Sequence, residues 1–223
     1  MVMNSVNPHK MMQSTIQKLK TDFPDVTPRF ERKFRLNNLI KKTLKYRLFS
    51  MGFMENFPER KVNSCYFDND NLTLFHESEE GVMPRKKIRI RWYDKVMSFT
   101  KEIKTSSIEG RFKSLKKNPK LKHLDDVLNS QYFDSSYGIL KPSLLVSYER
   151  QYFSFKLLRI TFDRNISYRY LKYSSEVIRK ENETVMEVKT PIDCSDDYIK
   201  SIITQPTERF SKYSRGLLCF ERF

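Results

Sequence analysis

The segment Arg85–Tyr93 places basic side chains at alternate positions, and this is the pattern in the chain with the clearest chemical meaning. If the segment is a β-strand, Lys87, Arg89 and Arg91 share one face, because successive side chains point to opposite faces. Neighbouring cations in that row are then about 6.6–6.8 Å apart. Such a row repels itself unless regularly spaced negative charge lies along it. Taken alone, the segment fits a solvated sheet face as well as a polyanion-binding track.

The same spacing recurs on other segments with strand character. Val96–Thr105 follows a turn at Asp94-Lys95 and is expected to pair with the first segment as a hairpin. A single pair of opposite charges is readily explained as a surface ion pair of little energetic value. Five strands with the same period favour a shared basic face instead; besides Arg89/Arg91, the groups are Glu31/Lys33/Arg35, Glu102/Lys104, Tyr148/Arg150 and Glu187/Lys189.

The distribution of strands predicts an α+β fold. About eight strands, mostly in hairpins and with helices between them, indicate an eight-stranded antiparallel sheet that closes into a β-barrel with helices packed outside. Residues 1–28 are expected to form a helical lead-in, and residues 29–223 a single barrel domain. One face of each strand then points into the lumen.

Composition narrows the partners and the compartment. The 223 residues carry 42 Lys and Arg against 27 Asp and Glu, a formal net charge of +15, which indicates a polyanionic partner. No apolar run is long enough for a membrane span, and no secretory signal is visible. Three widely spaced cysteines, Cys65, Cys194 and Cys219, form no metal-ligand pattern and favour a reducing compartment, so the expected location is the cytoplasm.

A lumen that holds so many cations is costly to desolvate when it is empty. It becomes favourable if it is wet and holds a chain of phosphates through charge-assisted hydrogen bonds. The few carboxylates among the cations then suit a hard divalent ion, which proteins often hold with one or two carboxylates plus phosphate oxygens.

At this point several segments resemble a known family: the polyphosphate polymerase domain of the vacuolar transporter chaperone (VTC) complex and its bacterial relatives. That family belongs to the triphosphate tunnel metalloenzymes, or CYTH superfamily. The resemblance covers about residues 29–216, and the segments follow the family's order. They are Glu31-Arg32-Lys33-Phe34-Arg35, Val62-Asn63-Ser64-Cys65-Tyr66-Phe67-Asp68, Lys87-Ile88-Arg89-Ile90-Arg91-Trp92-Tyr93, Glu102-Ile103-Lys104, Ser147-Tyr148-Glu149-Arg150, Arg159-Ile160-Thr161-Phe162-Asp163, Met186-Glu187-Val188-Lys189 and Phe210-Ser211-Lys212-Tyr213.

The resemblance implies a tunnel that binds ATP or another triphosphate, and inorganic polyphosphate, along its axis. By motif match it implies catalytic roles for Arg89, Arg91, Lys104, Arg150 and Arg159. It implies phosphate binding by Lys33, Lys113, Tyr148, Lys189, Arg209 and Lys212, with Lys113 matched through irregular spacing. It implies a Mn²⁺ or Mg²⁺ cofactor on Glu187, with Glu31 as the second carboxylate.

One departure from the family bears on the reaction. Hydrolysing tunnel enzymes open with Glu-x-Glu-x-Lys, whereas this chain has Arg29-x-Glu31-x-Lys33. Loss of the first carboxylate weakens a second metal site, so transfer of the γ-phosphate of ATP to a growing polyphosphate chain is favoured. The alternatives are a tripolyphosphate or nucleoside triphosphate hydrolase of the same fold and a non-catalytic polyanion-binding domain. Nucleic acid is not an expected partner, and a membrane-protein partner cannot be inferred from this chain.

Overall fold

A computed structural model describes residues 29–118, 120–172, 177–192 and 194–220. The helical lead-in predicted for residues 1–28 lies outside the described residues. Within the described ranges, no helix is both long and apolar enough to cross a lipid bilayer. Among the described residues, Cys65, Cys194 and Cys219 form no disulfide bond.

The described residues form ten strands and five helices. The strands are β1 (Arg29–Leu36), β2 (Met54–Asp68), β3 (Arg85–Tyr93), β4 (Val96–Ser107), β5 (Gly110–Lys117), β6 (Tyr132–Asp134), β7 (Gly138–Phe155), β8 (Leu158–Tyr170), β9 (Ile178–Lys180) and β10 (Thr184–Pro191). The helices are α1 (Asn38–Ser50), α2 (Thr73–Glu80), α3 (Leu124–Leu128), α4 (Asp196–Ile202) and α5 (Lys212–Leu218).

The strands form one curled antiparallel sheet in the order β1-β10-β8-β7-β2-β3-β4-β5, with β6 added to β7 and β9 added to β8. The predicted antiparallel sheet is therefore confirmed. The predicted closure of the barrel is wrong, because the sheet is open: in the described part of the chain, β1 and β5 are its two ends and do not pair. The molecule is a curled half-barrel.

Side chains and a C-terminal segment bridge part of the opening. The backbone N–H of Glu208 donates to the carbonyl of Lys33 on β1, and the Lys33 ammonium donates to the carbonyl of Phe210 at 2.8 Å. Across the gap, Lys104 on β4 forms an ion pair with Glu31 on β1 at 3.6 Å. The edge of β1 thus finds backbone and side-chain partners without a strand pairing to β5.

Alternation of side chains gives the sheet two different faces. The convex face is apolar: α1 and α4 cover a cluster that includes Phe34, Phe153 and Phe162, and α3 and the outer side of β3 contribute to a second. The prediction of helices outside the sheet therefore holds for these elements. Helix α5 instead packs on the concave face, where a methyl group added at Gly216 would lie 2.6 Å from Leu144 and Tyr168.

Strand β5 and helix α5 were absent from the sequence-based expectation. In β5 the residues are mostly exposed and Lys-rich, and the pattern offers no apolar alternation to mark a strand. Helix α5 has only seven residues, which is too short for a helical period to stand out. Both elements matter, because each contributes side chains to the site described next.

Candidate functional site

The concave face encloses a cavity of ≈ 310 Å³. Twelve basic side chains and three glutamates line it, and no histidine is among the lining residues. The basic residues are Lys33, Arg85, Lys87, Arg89, Arg91, Lys104, Arg111, Lys113, Arg150, Lys189, Arg209 and Lys212, and the glutamates are Glu31, Glu102 and Glu187. A cavity with this charge excess is built to hold an anion of high charge.

Strands β3, β4 and β5 form one wall, and Glu102 on β4 organises it. Arg89 lies opposite Glu102 across the β3–β4 pairing, and its Nε donates to Glu102 at 2.7 Å. The same carboxylate pairs with Arg91 at 3.5 Å and with Lys113 on β5 at 3.2 Å. Burial opposes ionisation of Glu102, but Arg89, Arg91 and Lys113 lower its pKa to about 2.

Strands β7 and β8 form the opposite wall around Asp163, which is fully buried. Arg150 lies opposite Asp163 across the β7–β8 pairing and donates to it through Nε at 2.5 Å and through a terminal nitrogen at 2.7 Å. Lys212, the first residue of α5, donates to the same carboxylate at 2.5 Å. Its ammonium also lies 4.5 Å from the centre of the Tyr148 ring. Asp163 thus orients two of the cations that line the cavity.

Helix α5 is fixed in the concave face by polar and aromatic contacts. Ser211 caps the helix by accepting from the N–H of Ser214, and its hydroxyl also accepts from the Lys87 ammonium at 2.9 Å. Tyr213 stacks on Tyr66 with ring centres 4.8 Å apart. The position of Lys212 in the cavity therefore follows from the packing of the helix that begins with it.

Glu31 and Glu187 lie on adjacent strands and have different partners from Glu102 and Asp163. In the pairing of β1 with β10, Glu31 lies opposite Lys189 and Lys33 opposite Glu187. Glu187 contacts Lys189 at 3.0 Å, and Glu31 contacts Lys33 at 3.2 Å. Burial opposes ionisation of Glu187, but nearby cations, Lys189 foremost, hold its pKa well below its usual range. Burial and the charge of Glu187 likewise oppose ionisation of Glu31, yet Lys33 and Lys104 keep its pKa lowered.

The carboxylate oxygens of Glu31 and Glu187 are suitable ligands for a divalent cation. Both are ionised, both line the cavity, and hard ions such as Mg²⁺ and Mn²⁺ are commonly held by one or two carboxylates plus phosphate oxygens. In the described residues no group of three or more His, Cys, Asp or Glu side chains could hold a metal by itself. A metal here would therefore need oxygen ligands from a bound phosphate compound.

The surroundings of Lys87 disfavour its charged form. Burial and the neighbouring charges of Lys33, Lys104 and Arg85 lower the pKa of Lys87 to about 7. Glu79 is the opposing influence. The ammonium of Lys87 is thus close to deprotonation at neutral pH until an anion enters the cavity.

The structure brings almost all of the candidate residues together. Among the catalytic and phosphate-binding candidates, those that line the cavity are Lys33, Arg89, Arg91, Lys104, Lys113, Tyr148, Arg150, Lys189, Arg209 and Lys212, and both metal candidates, Glu31 and Glu187, do so too. Arg159 is the exception. It shares the concave face as the pairing partner of Lys189, but its side chain is exposed and it is not among the lining residues.

Several residues of the cavity were missed by the sequence reasoning. Lys87 was placed in the basic row of β3 but was not proposed as a site residue, and Arg85, which has the same spacing, was left out of the row. Arg111 lies on the unpredicted strand β5. Glu102 and Asp163 were visible in the motifs, but their roles depend on cross-strand register, each being 13 residues from its arginine partner.

Comparisons with known proteins agree with this architecture. The chain matches the family model of the VTC domain over residues 20–107 and 95–221. A proposed adenylate cyclase from Bacillus halodurans has a similar structure, with a TM-score of 0.55, 18% identity, and coverage of 83% of this chain and 95% of that chain. A second proposed adenylate cyclase, from Vibrio parahaemolyticus, has a TM-score of 0.52 and 13% identity, with coverage of 85% of this chain and 97% of that chain.

A third similar structure is the Hippeastrum protein HpAC1, a proposed adenylyl cyclase described as having a dominant triphosphatase activity. Its TM-score is 0.51 at 12% identity, with coverage of 86% of this chain and 96% of that chain. No curated protein matches the sequence. These likenesses show the fold of the chain, a curled antiparallel sheet with helices packed outside. The family-model match covers most of the chain, which therefore belongs to the VTC domain family.

Proposed function

We propose that this protein is a polyphosphate polymerase that transfers the γ-phosphate of ATP to a growing polyphosphate chain. The observation that supports the proposal most directly is the cavity, with twelve basic side chains against three glutamates and without histidine. Phosphoryl transfer asks a protein mainly for positioning and for neutralisation of charge on the phosphate oxygens. A phosphate nucleophile is already anionic, so the reaction needs no general base.

The two walls divide the work in this proposal. Arg89 and Arg91, held by Glu102, and Arg150, held by Asp163, present guanidinium groups in fixed orientations to the triphosphate of ATP. Arginine suits this role because its planar donors match phosphate oxygens. Lys33, Lys104 and Lys212 hold the acceptor chain so that its terminal oxygen faces the γ-phosphate. Arg159, outside the cavity on the same face, would contact a chain that extends beyond it.

Glu187 and Glu31 would hold Mn²⁺ or Mg²⁺ together with phosphate oxygens. When bound, such an ion neutralises charge that develops on the phosphate oxygens during transfer. The protein side chains bind and orient both reactants and screen their repulsion. The three widely spaced cysteines favour a reducing compartment, which we take to be the cytoplasm, where ATP is available.

The test is incubation of the purified protein with ATP and Mn²⁺, with products resolved on a gel and free phosphate measured. We expect long phosphate chains and ADP. We expect an Arg91→Ala variant to be slower by about 10²-fold or more, because it loses an oriented donor to the transferred group. Arg164→Ala is the matched control, since Arg164 pairs with Glu59 at 2.6 Å outside the cavity.

The outcomes separate the alternatives. Free phosphate without chains would replace polymerisation by hydrolysis of tripolyphosphate or nucleoside triphosphate, a reaction that the same cavity could hold with water as the nucleophile. Tight binding of polyphosphate with neither product would leave a polyanion-binding domain. Normal turnover by Arg91→Ala with unchanged stability would remove Arg91 from the mechanism.

A further inference from the structure

A second cluster of the concave face lies beside the cavity and is aromatic. The guanidinium carbon of Arg60 lies 4.9 Å from the ring centre of Tyr152, 5.0 Å from that of Tyr93 and 5.7 Å from that of Phe57. The rings of Phe57 and Tyr152 meet edge to face. Phe57 is 53% exposed, so the cluster is open to solvent.

The register of the sheet connects this cluster to the cavity wall. Arg60 lies directly opposite Arg150 in the β2–β7 pairing. Tyr152 lies opposite Thr161, and Thr161 lies opposite Glu187. Because paired residues share a face, Tyr152, Thr161 and Glu187 form one row across the concave surface. Arg60 and Arg150 form the row beside it. With strands about 4.7–4.9 Å apart, the backbone of Tyr152 is roughly 10 Å from that of Glu187.

One polar group in each of these two rows has no hydrogen-bond partner among the described residues. In the described residues Arg60 forms no ion pair, and its Nε is buried without a hydrogen-bond acceptor. The hydroxyl of Thr161 is also buried and unpartnered. Burying such groups without hydrogen bonds costs free energy. A bound molecule that brings acceptor atoms and a flat apolar surface would remove that cost.

We propose that Arg60, Tyr93, Tyr152 and Phe57 form the binding site for the base and ribose of a nucleoside triphosphate whose phosphates occupy the cavity. This inference rests on the proposed function in taking such a triphosphate as the substrate. Bases stack on aromatic rings and on arginine guanidinium planes. The cavity wall is cationic, so the neutral base has to lie outside it. The cluster next to Arg150 offers ring faces there, with Thr161 able to donate to a ribose oxygen.

A phosphate could also satisfy Arg60, and the experiment is designed to separate the two ligands. Affinities for ATP and for inorganic tripolyphosphate, which lacks base and ribose, are measured by calorimetry without turnover. The variants are Tyr152→Leu and Arg60→Lys, the latter keeping the charge but losing the planar stacking surface. Tyr132→Leu is the control, because Tyr132 also carries a cation, Lys101 at 3.7 Å, but packs in the outer cluster.

We expect both site variants to bind ATP about tenfold more weakly, which corresponds to the lower part of the range for one stacked base. We expect their affinity for tripolyphosphate to stay within about twofold of the wild type. Equal losses for both ligands would show that the cluster binds phosphate, and unchanged affinities for both would show that it only supports the sheet; either result overturns the inference.

The proposed function fails separately. If the wild type binds ATP and the variants lose that binding selectively, but no chains appear with ATP and Mn²⁺, the nucleoside site stands and polymerisation does not. Thermal unfolding of each variant shows whether a weaker affinity reflects an unfolded fraction. If Tyr152→Leu does not fold, Arg60→Lys alone tests the inference, because it preserves the charge and removes only the planar stacking surface.

Discussion

Two pairs of carboxylates in the concave face have the same chemistry but different surroundings. Glu102 and Asp163 are held by arginines, in contacts as short as 2.5 Å. Among the described residues, the ion pairs of Glu31 and Glu187 are with lysines, at 3.0 Å or more. A guanidinium and a carboxylate match each other in shape, whereas an ammonium is a point charge that is readily exchanged.

In the proposed mechanism, the two pairs of carboxylates have two different tasks. Glu102 and Asp163 fix the orientation of the cations that would bind phosphate, so their hydrogen bonds have to persist when substrate enters. Glu31 and Glu187 carry negative charges that lysines screen. A divalent ion could replace those lysines as the partner of the two carboxylates. Substitutions that remove one negative charge from each pair should therefore have different consequences.

The largest effect is expected from Asp163→Asn. The substitution leaves Arg150 and Lys212 in the sheet wall without a compensating charge, while Asp163 itself is fully buried. Breaking a buried pair by removing one partner typically costs about 3–5 kcal/mol. We expect the free energy of unfolding to fall by about that amount, measured by urea denaturation.

Asp70→Asn is the matched control, because Asp70 pairs with Lys141 at 2.9 Å but its side chain is 74% exposed. Its loss should change stability by less than about 1 kcal/mol. Equal effects of the two substitutions would refute a structural role for Asp163.

A smaller and more specific effect is expected for Glu187→Gln and Glu31→Gln. The Mn²⁺ concentration that gives half-maximal activity should rise at least about tenfold, since loss of an outer partner of a metal ligand already costs 10–100-fold. Glu102→Gln removes the same charge but should reduce the maximal rate with an unchanged Mn²⁺ requirement. An unchanged requirement in Glu187→Gln would remove that residue from the metal site.

The comparison also shows how far the sequence could predict this site. Alternation is a local property, so the common face of Lys87, Arg89 and Arg91 followed directly from their spacing. The role of Asp163 depends on its register with Arg150 across a turn at Lys156, which has φ 50°. The contact of Glu31 with Lys104 depends on the curl of the whole sheet. Register and curl arise from long-range packing and are not encoded in any single segment.

The open sheet has the same explanation. Each strand could be recognised from its own residues, but closure depends on whether the two end strands meet. The carbonyl of Lys33 on β1 instead accepts from the N–H of Glu208, in a segment without strand periodicity. The exposed position of Arg159 likewise follows from its place at the start of β8, next to that turn.

The smallest expected effect concerns pH and Lys87, which lies near several cations and forms no ion pair with a carboxylate of the described residues, although Glu79 acts on it at longer range. Its pKa of about 7 means that it is charged below pH 7 in the free protein and mostly neutral above it. A polyanion in the cavity favours the charged form, so binding takes up a proton above pH 7. Affinity for inorganic tripolyphosphate should therefore fall as pH rises above 7, by up to about tenfold per unit for one linked proton.

Two substitutions isolate this contribution from the titration of tripolyphosphate itself. Lys87→Met lacks the proton, so its affinity should be lower than that of the wild type at pH 6 and should converge with it at higher pH. Lys87→Arg stays charged and should keep its affinity where the wild type loses it. Parallel pH profiles for all three proteins would show that another group carries the dependence. Divergence of the profiles around pH 7 would mean that, above neutral pH, the cavity is fully charged only when an anion occupies it.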